Sequence, residues 1–392
     1  LASSNGTHIG LDIQKTFLLT TLVWVVLSIF ASIPFLLGFT NANIVDAIFE
    51  AVSGITTTGS TVLSELDKLP KGLLLWRGIL QWLGGIGIIV VAMVFLPELR
   101  VGGMQIFRAE GFDTLGKILP RATTIAFQIS IIYVGIPIAC GLAYVLAGMN
   151  FFDAVVHAFT TVATGGFSNY NESIGFFNSV PIEISSMIFI ILGSLPFIAY
   201  IKFLNGDRKI LISDVQIKSF LKIIIFSIII LFIYLLFHNK DFSQINIRTI
   251  CFNVISILSG TGYVTGEFDG WGNFPLIFFL TLMFIGGCAG STTCGIKIFR
   301  IQILYLFTIN QLKKIIYPKG IFIIKYDKNN VDDKFMASII SFIFLYLVIF
   351  FLITAFLSLS GLDFVTSISG AATSISNVGP GLGSTIGPNG NF

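Results

Sequence analysis

The sequence predicts an all-α polytopic membrane protein, built as a pseudo-fourfold repeat in which each unit runs helix, short helix, polar knot, helix. Three observations carry this. Mean hydropathy is +0.91 and only 11% of residues are charged, far below the quarter or so of a soluble domain. Apolar stretches over residues 16–37, 73–96, 123–147, 181–204, 219–237, 273–306 and 335–359 each approach or exceed the ~20 residues a bilayer needs. Four knots of Gly, Thr and Ser recur at one place in the pattern: ITTTGST (55–61), VATGGFS (162–168), SGTGYVT (259–265) and SNVGPGLG (376–383). Irregular backbone is not tolerated against lipid, so four such bends at membrane depth must face one another around an aqueous axis.

The elements follow in order. Aligning Gly59, Gly166, Gly262 and Gly379 gives spacings of 107, 96 and 117 residues, and the units are expected over 1–105, 106–212, 213–325 and 326–392. Asp46 and Asp153 stand thirteen residues before Gly59 and Gly166, where an Asp is expected to cap the short helix. Thr249 holds that offset in the third unit, and Asp363 lies sixteen before Gly379, so short helices of unequal length are expected. The chain opens on Leu1 and stops after the fourth knot, where the first two units continue into another helix. A fragment lacking flanking helices at both ends is therefore expected.

A short helix entering from outside and ending at the knot turns its partly negative C-terminus toward the membrane centre, which favours a cation there. Carbonyl oxygens must replace the water the ion loses. Presenting several in succession requires backbone angles that Gly adopts cheaply. This points to Gly59, Gly166, Gly262 and Gly379 as essential, with Thr57, Thr58, Thr164, Gly165, Gly260, Thr261, Asn377 and Val378 supplying neighbouring carbonyls or hydroxyls. Small residues also permit plain helix packing, but four clusters at one recurring position favour an ion filter.

Charge sets the orientation. Lys and Arg gather after residue 96 (Arg100, Arg108, Lys117, Arg121), over 202–222 and over 297–334, whereas the knot side holds only Lys68, Lys71, Arg77, Lys240 and Arg248. The positive-inside rule then places the knots outward. The net charge of +3 does not indicate nucleic acid, because the basic residues are dispersed among helix ends without aromatic interleaving. Cys140, Cys251, Cys288 and Cys294 form no disulfide framework and no metal set.

Other features have plain structural readings. The GGIG of residues 84–87 sits inside a spanning helix with no strand before it and reads as helix packing. His157 reads as a buried, hydrogen-bonded histidine, and Glu50 as a locally bonded acid or a cation attractor at the mouth. No Ser–His–Asp set or carboxylate pair supports an intramembrane hydrolase. A re-entrant-loop carrier for a small anionic solute, the rival reading, needs helix N-termini aimed inward, the reverse of this pattern.

Within the long stretch from 273, the segment 285–295 (IGGCAGSTTCG) holds too many Gly, Ser and Thr for an unperturbed helix. Its freed backbone groups must face protein or a wet cavity, and the space below the knots is the natural place.

Residues 76–110 (WRGILQWLGGIGIIVVAMVFLPELRVGGMQIFRAE), the four knots and GGCAGSTTCGIKIFR (286–300) together resemble the TrkH branch of the Trk/Ktr/HKT potassium transporters over nearly the whole chain. The resemblance implies a potassium-channel-like fold around one pore and potassium uptake across a bacterial inner membrane. It also implies a homodimer, a cytoplasmic nucleotide-binding regulator of the TrkA type, and no enzymatic activity or cofactor, potassium being the transported ion. The family keeps one well-kept Gly per knot where tetrameric channels have TVGYG, so fewer ion sites and looser discrimination are expected. By the same resemblance, 285–295 is an intramembrane loop that obstructs the pore and moves on activation, with Gly290, Ser291, Thr292 and, at its cytoplasmic edge, Lys297 as the gate residues.

Overall fold

The computed structural model describes residues 13–38, 40–90, 122–238, 246–266, 268–327, 329–383 and 385–388. The basic residues Arg100, Arg108, Lys117, Arg121 and Lys240, the end of the second apolar stretch and the expected unit boundary at 105 lie outside them.

The first unit comprises α1 (Ile13–Leu37), the short α2 (Ile44–Ile55), the first knot and α3 (Lys71–Val90). The second comprises α4 (Ala122–Leu146), short α5 (Phe151–Val162), then α6 (Val180–Gly193) and α7 (Phe197–Leu204). In the third, α8 (Val215–His238) leads to short α9 (Ile247–Ser259), α10 (Asn273–Phe284) and α11 (Ile298–Ile316). The fourth has α12 (Asp333–Leu359) and short α13 (Phe364–Ser376). The one sheet among the described residues is a two-residue antiparallel hairpin, Lys325–Tyr326 with Asn329–Asn330.

Four single helices among the described residues are long and apolar enough to cross a membrane: α3, α4, α8 and α12. Two expected spans are not continuous. Residues 181–204 form α6 and α7, which meet at 89°; Pro196 stands at the N-cap of α7, and lacking an N–H it cannot continue α6. The stretch 273–306 is split as its glycines foretold, α10 and α11 being separated by residues 285–297.

The capping expectation needs correction. The N-caps are Asn43, Asn150, Asn246 and Asp363, whose side-chain oxygens accept backbone N–H bonds from Asp46 (3.0 Å), Asp153 (3.0 Å), Arg248 (3.0 Å), and Val365 and Thr366 (3.1 and 3.2 Å). Asp46 is the third helical residue, returning a bond from its carboxylate to the Asn43 N–H at 3.3 Å as a capping box. All four caps stand sixteen residues ahead of the aligned glycine, so the distance from cap to knot is the same in every unit. Asp363 was therefore not an exception but the one acidic member of the true set.

Helix packing between units follows one rule along the chain. In the first three units each short helix packs between its own unit's helices, in the fourth α13 packs on α12, and the second helix of one unit leans on the short helix of the next: α3 on α5, α6 on α9, α10 on α13. Gly84 permits the crossing of α3 over α2, since a Cβ there would lie 1.9 Å from the Ile55 carbonyl oxygen. One large apolar core, including Tyr133, Phe220, Phe252 and Phe279, surrounds the knots, and a smaller one joins Phe299 and Ile303 of α11 to Phe335 and Ile339 of α12. The outward faces of α1, α4, α8 and α12 stay apolar and exposed, as lipid-facing helices require.

Candidate functional site

Each short helix ends in the same backbone device. The N–H of the residue before the aligned glycine turns back to a carbonyl one turn inside the helix: Thr58 to Ser53, Gly165 to Thr160 and Thr261 to Ser256 at 2.9 Å, and Val378 to Thr373 at 3.2 Å. Left-handed backbone occurs two residues before the glycine, at Thr57 (φ 61), Thr164 (φ 50), Gly260 (φ 73) and Asn377 (φ 53), and again at Gly59 (φ 87), Gly166 (φ 76), Gly262 (φ 78) and Gly379 (φ 99). Alternating left-handed and ordinary residues is the backbone form that lets successive carbonyls share a side. Three non-Gly residues hold the first left-handed position.

The four knots close into a ring. A Cβ on Gly59 would lie 2.0 Å from the carbonyl oxygen of Gly165, one on Gly166 1.8 Å from that of Thr261, one on Gly262 2.1 Å from that of Val378, and one on Gly379 3.0 Å from that of Thr58. Every glycine thus lies against the preceding-residue carbonyl of the next unit, and the fourth returns to the first. Glycine is required by a neighbour as well as by φ, a reason no single knot reveals. On one side of the ring a cavity of about 350 Å³ is lined by all four glycines together with Ser60, Ser168 and others.

Hydroxyl groups six residues before the glycine brace the ring. Ser53 donates to the Ser60 carbonyl (2.6 Å), Ser256 to that of Tyr263 (2.7 Å) and Thr373 to that of Gly379 (2.9 Å). The first and fourth knots are joined directly: Thr58 Oγ1 donates to Asn377 Oδ1 at 2.8 Å, Asn377 Nδ2 to the Thr56 carbonyl at 3.2 Å, and Ser60 Oγ to the Gly379 carbonyl at 2.7 Å. Val378 is buried beside them.

The segment between α10 and α11 lies against this ring. Thr292 Oγ1 reaches the carbonyls of Val162 (3.1 Å) and Gly193 (2.9 Å) and is 3.0 Å from Thr164 Oγ1. Those carbonyls belong to the last residues of α5 and α6, where helix geometry leaves acceptors unsatisfied. The Phe197 N–H donates to the Gly290 carbonyl at 2.8 Å, and the Cys288 N–H to that of Ser194 at 3.2 Å, so the break in the third unit is seated in the bend of the second. Ser291 donates to the Cys288 carbonyl at 2.6 Å. Asn377 Nδ2 lies 3.4 Å from Cys294 Sγ. Lys297 turns back on the segment, its Nζ donating to the Thr293 carbonyl and lying 3.0 Å from the Thr293 hydroxyl.

Three side chains near the ring, Arg77, Gln81 and Tyr263, are unassigned or misassigned in the sequence reading. Arg77, counted with the outer basic residues, is 1% exposed and pairs with Glu50 at 2.7 Å. Glu50 also accepts from the Thr61 hydroxyl and the Val62 N–H, which matches the first of its two sequence readings, a locally bonded acid. Gln81 is fully buried against the second knot. Tyr263 carries its hydroxyl across to Thr160 on α5. His157 is buried as expected, its Nδ1 2.8 Å from the Asp153 carbonyl and its Nε2 3.0 Å from Ser168 Oγ. Glu50 and His157 share the position nine before the aligned glycine, an equivalence the repeat alignment contained.

Comparison with known proteins agrees with this architecture. A family model described as TrkH, cation transport protein, matches residues 2–390. The chain is 43% identical over 385 residues to the Trk system potassium uptake protein TrkI of Halomonas elongata, covering 98% of this chain and 78% of that protein. It is 36% identical over 374 residues to the Trk system potassium uptake protein TrkH of Vibrio parahaemolyticus, covering 94% and 77%. The crystal structure of the potassium transporter TrkH from the same organism superposes with a TM-score of 0.88 at 34% identity, covering 97% of this chain and 80% of that one. With its four-knot ring and a family match along nearly its whole length, the chain belongs to the TrkH family of cation transport proteins.

Proposed function

We propose that this multi-pass protein of the bacterial inner membrane carries out potassium uptake through the ring of four knots, which acts as its selectivity filter. The observation that supports it is the closure of the ring: four glycines, each against the carbonyl of the next strand, with four short-helix C-termini behind them. Carbonyls at Thr57, Thr58, Gly59, Thr164, Gly165, Gly166, Gly260, Thr261, Gly262, Asn377, Val378 and Gly379 replace the hydration shell of the ion. The helix C-termini add a favourable field for a cation. One pore is shared by four units, with boundaries at 105, 212 and 325.

The segment 285–295 acts as the gate, with Gly290, Ser291, Thr292 and Lys297 at its moving edge; its contacts to the second and fourth knots support this. Opening requires Thr292 to leave the α5 and α6 carbonyls. The working assembly is a homodimer controlled by a cytoplasmic TrkA-type regulator, a reading that rests on family membership. The test is uptake of radioactive rubidium by potassium-starved cells that lack their own uptake systems and express this protein. Uptake that unlabelled potassium suppresses more strongly than sodium is expected. Uptake no greater than in cells without the protein would overturn the proposal.

A further inference from the structure

Arg77 and Gln81 lie one helical turn apart on the otherwise apolar α3, and both reach out of the first unit into the second. Groups this deeply buried must find protein partners for their donors and acceptors. Gln81 finds two on the second strand: its Nε2 donates to the Gly165 carbonyl at 2.7 Å, and its Oε1 accepts from the Phe167 N–H at 3.1 Å. Arg77 Nη1 donates to the Ser168 carbonyl at 2.6 Å, and its guanidinium lies 4.0 Å from the centre of the Phe167 ring. Arg77 is itself seated by Glu50. Side chains of one unit thereby hold three backbone groups of the adjacent unit's strand.

The other described second helices do nothing comparable. On α6 the polar side chains Glu183 and Ser186 engage Arg248 and Tyr144, away from any knot. On α10, Thr281 donates to its own helix at Ile277. Gly165 is the residue whose counterparts are Thr58, Thr261 and Val378, the carbonyls that meet the neighbouring glycines. One of four equivalent carbonyls therefore carries an amide donor.

We propose that Gln81, seated beside the Arg77–Glu50 pair, is a positioning residue that fixes the orientation of the Gly165 carbonyl and so sets the ion preference of the pore. This rests on the reading of the knots as a filter. Two effects act in one direction. A carbonyl held by a fixed amide resists swinging inward onto a smaller ion, and a carbonyl already accepting a hydrogen bond offers a weaker field. Both disfavour sodium relative to potassium and rubidium.

The test compares Gln81→Met and Gln81→Glu with Ile89→Val and Gly262→Ala in the full protein, measuring rubidium flux and its competition by sodium per unit of folded transporter. Gln81→Met keeps the length and removes both bonds. Gln81→Glu keeps the volume and the acceptor for Phe167 but replaces the donor with an oxygen facing the Gly165 carbonyl. The preference for rubidium over sodium is expected to fall about two- to tenfold in both, the range expected for one lost hydrogen bond. Ile89→Val, a buried change on the same helix, should lower thermal stability and leave the preference unchanged. If folded Gln81→Met and Gln81→Glu keep the wild-type preference while Gly262→Ala alters it, Gln81 is merely structural and the proposal is overturned. If Gly262→Ala also keeps it, the filter reading itself fails. Should Gln81→Met not fold, Gln81→Glu alone carries the same two outcomes.

Discussion

Alanine placed at each aligned glycine in turn separates two reasons for glycine that exchange the extreme positions, Gly166 and Gly379. By backbone angle, Gly379 (φ 99) and Gly59 (φ 87) lie furthest from the left-handed region open to L-residues, and Gly166 (φ 76) and Gly262 (φ 78) lie nearer. If strain alone mattered, Gly379→Ala would be worst. By neighbour contact the extremes trade places, because a Cβ would stand 1.8 Å from a carbonyl oxygen at Gly166, 2.0 Å at Gly59 and 2.1 Å at Gly262, but 3.0 Å at Gly379.

The magnitudes favour contact. Left-handed backbone costs an Ala about 1–2 kcal/mol at any of the four. Forcing an extra carbon into a packed site adds about 1–3 kcal/mol, and this falls on the three close positions. Ordinary contact begins near 3.4 Å, so at Gly166 the strands must part by more than an ångström, whereas at Gly379 a few tenths suffice. Rubidium uptake and sodium competition per folded protein should therefore be disturbed most in Gly166→Ala, then Gly59→Ala and Gly262→Ala, and least in Gly379→Ala. Finding Gly379→Ala the most damaged of the four would refute the argument that each glycine is required by the adjoining strand.

Three further outcomes are expected. Deleting Gly290–Thr292 should raise potassium flux per folded protein and weaken its dependence on the cytoplasmic regulator; a well-folded deletion with wild-type or lower flux would remove the gate reading. Thr292→Val keeps the shape but removes the hydroxyl that reaches the Val162 and Gly193 carbonyls, leaving to Gly193 only the backbone N–H of residue 292, so resting rubidium leak should rise, and an unchanged leak in reconstituted vesicles would count against that hydroxyl as a latch. Asn43→Ala and Asn150→Ala each remove a cap worth about 1 kcal/mol; thermal melts in detergent should show comparable losses for the two, and a negligible loss for both would contradict the capping assignment.

The repeat, the ring glycines and the broken stretch were legible because each is a local composition signal: apolar length, left-handed need, or a helix that cannot persist. The caps were legible too, but in a different residue. NIVD (43–46) and NFFD (150–153) carry Asn followed three residues later by Asp, a capping-box spacing, and the more conspicuous acid drew attention from the Asn. The bend of α6 and α7 had its signal in Pro196, obscured by continuous hydropathy on both sides. Arg77 and Gln81 could not be placed from spacing. Their partners in the second unit lie 84 to 91 residues away, and only the packing of α3 on α5 brings them together.

That packing also shows where the fourfold backbone stops being fourfold. The first and fourth strands are joined to each other through Thr58, Asn377, Ser60 and Gly379. The second is held from outside its own unit, by Gln81 and Arg77 from α3 and by Thr292 from the segment after α10. The Thr292 hydroxyl, with one proton to give, stands within reach of the terminal carbonyls of α5 and α6 and accepts from the hydroxyl of Thr164. It cannot leave the first two without also releasing Thr164, which stands two residues before Gly166. On the proposed gating reading, movement of residues 285–295 changes the bonding of the second strand in the same step and also draws Cys294 away from Asn377 of the fourth. On the proposed reading, gate and filter share this threonine and meet at the second strand, whose Gly165 and Ser168 carbonyls are also bonded from α3.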